Sequence, residues 1–447
     1  MAEPHTDRPA TIKAFRSHVN AGMARVFTLS DSPLEIRSEG SLVYDDADRP
    51  YLDCGGYCVF LLGHRHPHVV AAVTQALSRH PLSTRLMVDP TLAAAAQALA
   101  GITPGGLQYV WFANSGAEAV DAAIKLCRIN GCQTMIVVEC AFHGKSVGAL
   151  SLSGRRNYRE PFEPLLPGVC RVPFDDPGAL REALAGQPGR CAVLVEPVQS
   201  EGGVRLPRAG YLAEVRALCD QYGALFVVDE ISTGLGRLGM WWGIDRDAVA
   251  PDVLLAGKAL GGGVMPVSAM VATHEVFEPF NRDPLLHTST FAGNPLACAA
   301  VRATVEALHE LDVVATAARL GDELLRTLTE VVGRRAPWFV TDIRGRGLLL
   351  GIEFTQEHFA AELMIELLHR RVLTAHSLNA HRVLRFTPPT TLTGAEVRWL
   401  VDAVDDSLAA IGRRYRRGSA GQTPAGGEPP AQVEQLVENG QGVPNRA

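Results

Sequence analysis

The sequence predicts an α/β fold: a large unit with a mainly parallel central sheet flanked by helices, plus a smaller α+β unit formed by the N- and C-terminal segments. Three observations predict it. Short, continuously apolar runs recur along the first three hundred residues, as expected of strands buried on both faces. Helical stretches alternate with them, the pattern of a sheet covered on two sides. From about residue 310 the texture changes to longer helical stretches and then "VTDIRGRGLLLGIEF" and "HRVLRFTPPTTL".

The elements follow in order. "SLVYDDADRPYLDCGG" reads as short strands and a turn that would pack on the smaller unit. "QYVWFANS" (108–115) leads into "GAEAVDAAIKLCRIN", which puts Val120, Ile124 and Cys127 on one helical face. "TMIVVEC" (134–140), "CAVLVEP" (191–197), "ALFVVDE" (224–230) and "DVLLAGK" (252–258) are the further strands, with "GYLAEVRALCDQYG" as an amphipathic helix between two of them. The division expected is a disordered start over 1–11 and an N-terminal part of the small domain over 12–75. A large domain over 76–309 and a C-terminal part of the small domain over 310–412 follow. The Gly/Pro-rich, polar residues 413–447 are expected to be a disordered tail. There is no internal repeat.

Bulk properties bound the function. At 447 residues the chain exceeds what one core of about 250–300 residues holds. A net charge of −6 argues against nucleic acid or an anionic membrane as the main partner. No run approaches the ~18 apolar residues of a membrane span, and the start lacks a secretory layout. Nine cysteines without C-x-x-C spacing predict reduced thiols and a cytoplasmic enzyme. No metal site is expected.

In "ALFVVDEISTGLGRLGM", Gly234, Gly236 and Gly239 have G-x-G-x-x-G spacing, but the context is wrong for a dinucleotide. Gly234 comes four positions after Glu230, no helix start follows Gly239, and about 20 residues on stands Lys258 rather than an acid. The acids carry more meaning. Asp229 ends one apolar run and Lys258 ends the next, 29 residues on (258 − 229). In such sheets ligands sit beyond the carboxyl ends of the strands. Asn114–Ser115, Glu196, Asp229 and Lys258 all fall there.

An acid and an amine at adjacent strand ends can grip one aromatic cofactor from opposite ends, as pyridoxal phosphate requires. The carboxylate keeps the pyridine nitrogen protonated, and the lysine condenses with the aldehyde and shuttles a proton. Read singly, Asp229 could be a solvated strand end and Lys258 a surface lysine; together they are not so easily dismissed. Only Lys13, Lys125, Lys145 and Lys258 could supply an amine, and Lys145, within "CAFHGKS", is the rival. "NSGAEA" brings backbone N–H groups and a helix dipole to an anion such as phosphate, or is an ordinary N-cap by Ser115. Phe142 and His143 lie just beyond a strand, where an aromatic face could cover a cofactor ring. They could equally be core packing and a surface turn.

The motifs "FANSGAEAVDAAIKL", "AFHGKSVGALS", "VEPVQSEGGV", "FVVDEISTGLGRLG", "LLAGKALGGGVMPVSAMVAT", "HTSTFAGNPLACAA" and "RGRGLLLGIEF" occur in one order. Over about residues 25–412 the chain resembles the class III aminotransferases of the pyridoxal-phosphate fold type I. Within the class, "GGGVMPVSAM", "LHTSTFAGNPLACAA" and "LNAHRVLRFTPP" most resemble the putrescine (diamine) aminotransferases.

The resemblance implies that Lys258 holds the cofactor aldehyde and Asp229 pairs with the ring nitrogen. Ile231 and Phe142 would pack on the two ring faces, with His143 beside them. Ser115, Gly116 and Ala117 would bind the phosphate. Thr290 would reach the phosphate of a neighbouring subunit, implying a homodimer with shared active sites. Glu201 would be a substrate-side gate and Arg385 the grip on a substrate carboxylate, for which its planar fork is suited. Arg385 has an interdomain salt bridge as its alternative.

Two departures stand out. Ser232 occupies the place where the family usually has Gln near the ring oxygen, and Ala117 stands where many relatives have Thr. The implied reaction is transamination between a terminal primary amine (a diamine or ω-amine) and 2-oxoglutarate or pyruvate, or the reverse amination of an aldehyde. The alternatives are amination of an aldehyde intermediate in specialised-metabolite biosynthesis, an acetylornithine-like enzyme, and a catalytically silent regulatory homologue.

Overall fold

A computed structural model describes residues 7–417. Its centre is a seven-stranded sheet in the order Leu107–Ala113, Ser268–Thr273, Val253–Ala256, Leu225–Asp229, Cys191–Val195, Thr134–Val138, Val169–Val172. Ser268–Thr273 runs antiparallel to both neighbours and every other adjacent pair is parallel. Six strands therefore point the same way, and their carboxyl ends line one edge. Two strands escaped the sequence reading. Val169–Val172 is short and carries Arg171, and Ser268–Thr273 opens on a serine and is rich in alanine, so neither makes a conspicuous apolar run.

The continuous apolar runs have a simple cause. Successive side chains of a strand point to opposite faces, and here both faces are buried. Val193, Val195, Phe226 and Val228 enter one core cluster, while Ala192, Leu194, Leu225 and Val227 enter the other. The first cluster is closed by helices that include Tyr211–Tyr222, through Leu212, Val215 and Leu218. The second is closed by helix Gly116–Ile129 through Ala119, Val120, Ala123 and Leu126.

Beside this layer lies a four-stranded antiparallel sheet, ordered Val340–Arg346, Leu349–Phe354, Ala380–Phe386, Ala375–Ser377. A third sheet joins the two ends of the chain, because Val372–Leu373 pairs parallel with Pro50–Asp53 of the N-terminal meander.

Two boundaries shift. A helix spans Arg8–His18, beginning inside the stretch 1–11 expected to lack order. Arg8 pins it by donating to the carbonyls of Ser32 (2.8 Å) and Phe27 (3.0 Å). The last helix, Gly394–Arg417, runs past residue 412. Arg414 and Tyr415 both bond the buried Glu362, which holds that final turn down. The rest of the expected tail, residues 418–447, and the first six residues lie outside the described chain.

The three glycines of the misleading loop serve packing. A Cβ on Gly234 would lie 2.5 Å from the Trp242 ring. Gly239 has φ +75°, and a Cβ there would lie 2.8 Å from the backbone of Ala318. Gly239→Ala should therefore cost roughly 1–3 kcal/mol, since it adds left-handed strain to a backbone clash. Thermal melts check this, and an unchanged midpoint would show that the loop relaxes freely.

Candidate active site

The site assembles along the edge where the parallel strands end. Asp229 closes its strand with 4% of its surface exposed. Its Oδ1 accepts the Ile231 N–H at 3.1 Å, and its Oδ2 lies 2.7 Å from His143 Nδ1. His143 is fully buried, and its Nε2 has no hydrogen-bond partner. Burial alone would lower the imidazole pKa, but the hydrogen bond and charge of Asp229, helped by Glu196, raise it above the ordinary value. His143 lies against the carboxylate of Asp229.

Glu196 is the acid whose role sequence reasoning missed. It stands at the end of the next strand, is 5% exposed, and accepts the Phe142 N–H at 3.0 Å. Burial pushes its pKa up to about 7, with the His143 charge pulling down and Asp229 pushing up. Its only sequence signal was its place at a strand end. Glu230 points its chemistry elsewhere: it bonds Thr233 and the Ile244 N–H (2.9 Å), and burial raises it to about 7.

Lys258 follows the strand Val253–Ala256 and is half-buried, with φ +49°. A non-glycine residue in the left-handed region is uncommon and often marks a constrained functional position. Its Nζ donates to Ser232 Oγ. The short side chain at position 232 thus reaches the amine. Lys145, the rival, is exposed and sits 4.4 Å over the Tyr158 ring.

Glycine geometry draws the remaining pieces together. A Cβ on Gly116 would lie 3.0 Å from the Ile231 side chain, and one on Gly257 would lie 3.2 Å from it. Ile231 is therefore lodged between the start of helix Gly116–Ile129 and the Lys258 loop. A Cβ on Gly144, where φ is +125°, would lie 2.8 Å from Ala117 Cβ, so the Phe142–Gly144 loop meets the same helix start. Ser115 caps that helix, its Oγ accepting the Glu118 N–H at 3.3 Å, while Asn114 donates to Glu118 from its backbone (3.0 Å) and side chain (2.8 Å). The capped helix start is the same stretch, Ser115 to Ala117, whose backbone donors the sequence offered to an anion. Thr290 lies apart from these, exposed on a loop that Ser289 ties to Asn114 at 3.2 Å.

Glu201 and Arg385 do come together. Their side chains are 4% and 1% exposed, with Oε1 and Nη1 2.7 Å apart. Arg385 also donates to Ser200 Oγ at 2.8 Å, and Glu201 Oε2 accepts the Leu378 N–H at 2.9 Å. The Nε and Nη2 of Arg385 have no partner, an uncommon state for buried donors. Burial would lower the Arg385 pKa, but the Glu201 charge raises it.

The residues fit pyridoxal phosphate. A buried carboxylate fixed from behind can hold a pyridinium proton, an amine stands just beyond the neighbouring strand, and Ile231, two residues after that carboxylate, packs between the amine's loop and a helix N-terminus able to face an anion.

Comparison with known proteins bears on this geometry. The model of the family "Aminotransferase class-III" matches residues 32–408. The ornithine aminotransferase of Toxoplasma gondii, which holds pyridoxal phosphate at partial occupancy in its active site, is 31% identical. The alignment covers 91% of this chain and 96% of that one, with a TM-score of 0.84. The acetylornithine aminotransferase of Elizabethkingia anophelis is 30% identical over 85% of this chain and 94% of that one, with a TM-score of 0.74. A transaminase from the marine bacterium Virgibacillus is 26% identical, covering 86% and 94%, at 0.80.

The Glu196 carboxyl gives a pH signature. Its native pKa of about 7 exceeds the ordinary 4.5, so between those values the native chain binds more protons than the unfolded one. Stability contributed at low pH is then lost as pH rises through that window. Glu196→Gln removes the titration, so its melting temperature relative to the parent should be higher at pH 8 than at pH 5. An offset independent of pH would show that Glu196 is already ionised.

Proposed function

The chain belongs to the class III aminotransferases, pyridoxal-phosphate enzymes of fold type I. On that premise we propose that it moves an amino group between a terminal primary amine and a keto acid such as 2-oxoglutarate or pyruvate, or runs the reverse amination of an aldehyde. The observation that carries this reading is Arg385: a buried guanidinium with two unpartnered donors and a counter-ion, Glu201, on its other end. Such a fork binds a carboxylate in two parallel hydrogen bonds. With Glu201 in place the same spot is electrically balanced, which suits an amine or aldehyde lacking a carboxylate.

When bound, pyridoxal phosphate accepts the electron pair left on the substrate carbon as its proton departs. Lys258 is the group that holds the aldehyde and then carries the proton away and back, with Ser232 Oγ accepting a hydrogen bond from its amine. Asp229 keeps a proton on the ring nitrogen, with His143 supporting its charge. Ile231 and Phe142 would pack on the ring and keep water from the reacting carbon. Ser115, Gly116 and Ala117 offer backbone donors to the phosphate.

Thr290 is assigned to the phosphate of a second copy. Leu86, Met87, Val88 and Phe291 are exposed at 92%, 82%, 95% and 56%, and Arg85 donates to the Ala292 carbonyl, joining the two segments into one apolar face beside Thr290. A homodimer would cover it.

A second reading is an ornithine- or acetylornithine-type donor, supported by the likeness to enzymes of those names. A screen of diamines, ω-amino acids, ornithine and acetylornithine, followed by the loss of visible cofactor absorbance, separates the two.

Lys258→Ala should lower turnover on the order of a thousandfold or more while cofactor still binds. Sustained multiple turnover would remove Lys258 from its role. Arg385→Lys keeps the charge and loses the fork, so KM for 2-oxoglutarate should rise about 10–100-fold, with far less change for an uncharged aldehyde. Equal changes would make Arg385 structural.

A further inference from the structure

The turn joining strands Ala375–Ser377 and Ala380–Phe386 consists of Leu378 and Asn379, and it meets the reaction centre from the smaller antiparallel sheet. Asn379 Nδ2 donates to the carbonyls of Cys140 (2.9 Å) and Ala141 (3.0 Å), the residues immediately before Phe142 and His143. The backbone N–H of Asn379 donates to the Glu201 carbonyl at 2.9 Å, and that of Leu378 donates to Glu201 Oε2 at 2.9 Å. On its outer side the Leu378 carbonyl accepts from Arg155 and from the Tyr158 hydroxyl (3.1 Å).

The loop it grips is tightly seated. A Cβ on Gly203 would lie 2.9 Å from Ala380 Cβ, and one on Gly202 would lie 3.1 Å from the Cys140 carbonyl. Arg344, also of the smaller sheet, donates to the carbonyls of Gly203 (2.6 Å) and Val204 (3.1 Å). Glu201 thus sits on a loop held at two points by the smaller sheet.

We propose that Asn379 is a positioning residue that sets substrate selectivity. By tying the loop before Phe142 to the loop of Glu201, it keeps the Glu201 carboxylate on Arg385 and so decides how readily Arg385 engages a carboxylate substrate. The physical reason lies in burial. A buried ion pair is favourable only while its remaining lone pairs are satisfied. Glu201 Oε1 is taken by Arg385, so Oε2 depends on the Leu378 N–H, whose place is set by the turn. Loosening the turn leaves the buried carboxylate under-bonded, weakens its hold on Arg385 and frees the guanidinium for a substrate carboxylate. The inference rests on the proposed reading of Arg385 and extends it to a residue that touches neither substrate nor cofactor.

The test uses the full, cofactor-loaded chain with Asn379→Ala, and Asn379→Ser should the alanine variant not fold. KM for 2-oxoglutarate divided by KM for an uncharged aldehyde should fall about tenfold, the scale of losing buried hydrogen bonds. Amide hydrogen exchange in segments 139–143 and 199–204 should quicken together. A ratio unchanged while exchange quickens would make Asn379 structural only. Exchange unchanged in either segment would overturn the coupling. A parent chain that turns over neither substrate would refute the proposed reaction, yet the exchange measurement would still decide whether Asn379 joins the two loops.

Discussion

A carboxylate buried at the end of a central strand is the constraint around which this site is organised. Asp229 has water on no useful side, and an ionised group in such surroundings is costly unless it is paired and hydrogen-bonded. The chain meets that cost with His143 on one oxygen and the Ile231 N–H on the other. Both partners come from loops at the same sheet edge, so the requirement to satisfy Asp229 also fixes the loop that carries Phe142 and the residue lodged beside Gly116. Glu196 extends the arrangement one strand further by holding the Phe142 N–H. The same bonds that make the carboxylate tolerable seat the Phe142 loop against Glu196 and against the start of helix Gly116–Ile129.

The second charged pair follows a different logic. Glu201 and Arg385 come from the large sheet's loop and the smaller sheet's strand, so their meeting depends on how those two layers pack. Each is nearly inaccessible, and each leaves part of its bonding capacity to a neighbour: Ser200 for the guanidinium and Leu378 for the carboxylate. Placing one half of the proposed recognition pair on each layer ties that pair to the seating of the smaller sheet. Asp229 and Lys258, by contrast, both belong to the larger layer.

Much of this was legible in the chain. Runs such as "CAVLV" and "LFVVD" could not be amphipathic, so a sheet buried on both faces followed, and with it the rule that ligands sit at strand ends. Lys258 and Asp229 were picked out that way as candidates, and both do lie at strand ends of the central sheet. Family resemblance added Ile231, Glu201 and Arg385. What escaped had no linear signature. Val169–Val172 and Ser268–Thr273 lack strong apolar patterns, and the first helix shows no buried residue. Glu196 was visible only as one acid at one strand end, and Asn379 as one residue of a turn.

By itself the sequence determined the class of fold, the strand-end amine and acid, and the family, because these depend on local periodicity and on motifs contiguous in the chain. Only the tertiary structure decided that His143 backs Asp229, that Ser232 bonds the amine, that burial raises the Glu196 pKa to about 7, and that Asn379 joins two loops. Those outcomes rest on distances between residues far apart in sequence and on how completely water is removed around them, and neither quantity is written in any local stretch of residues.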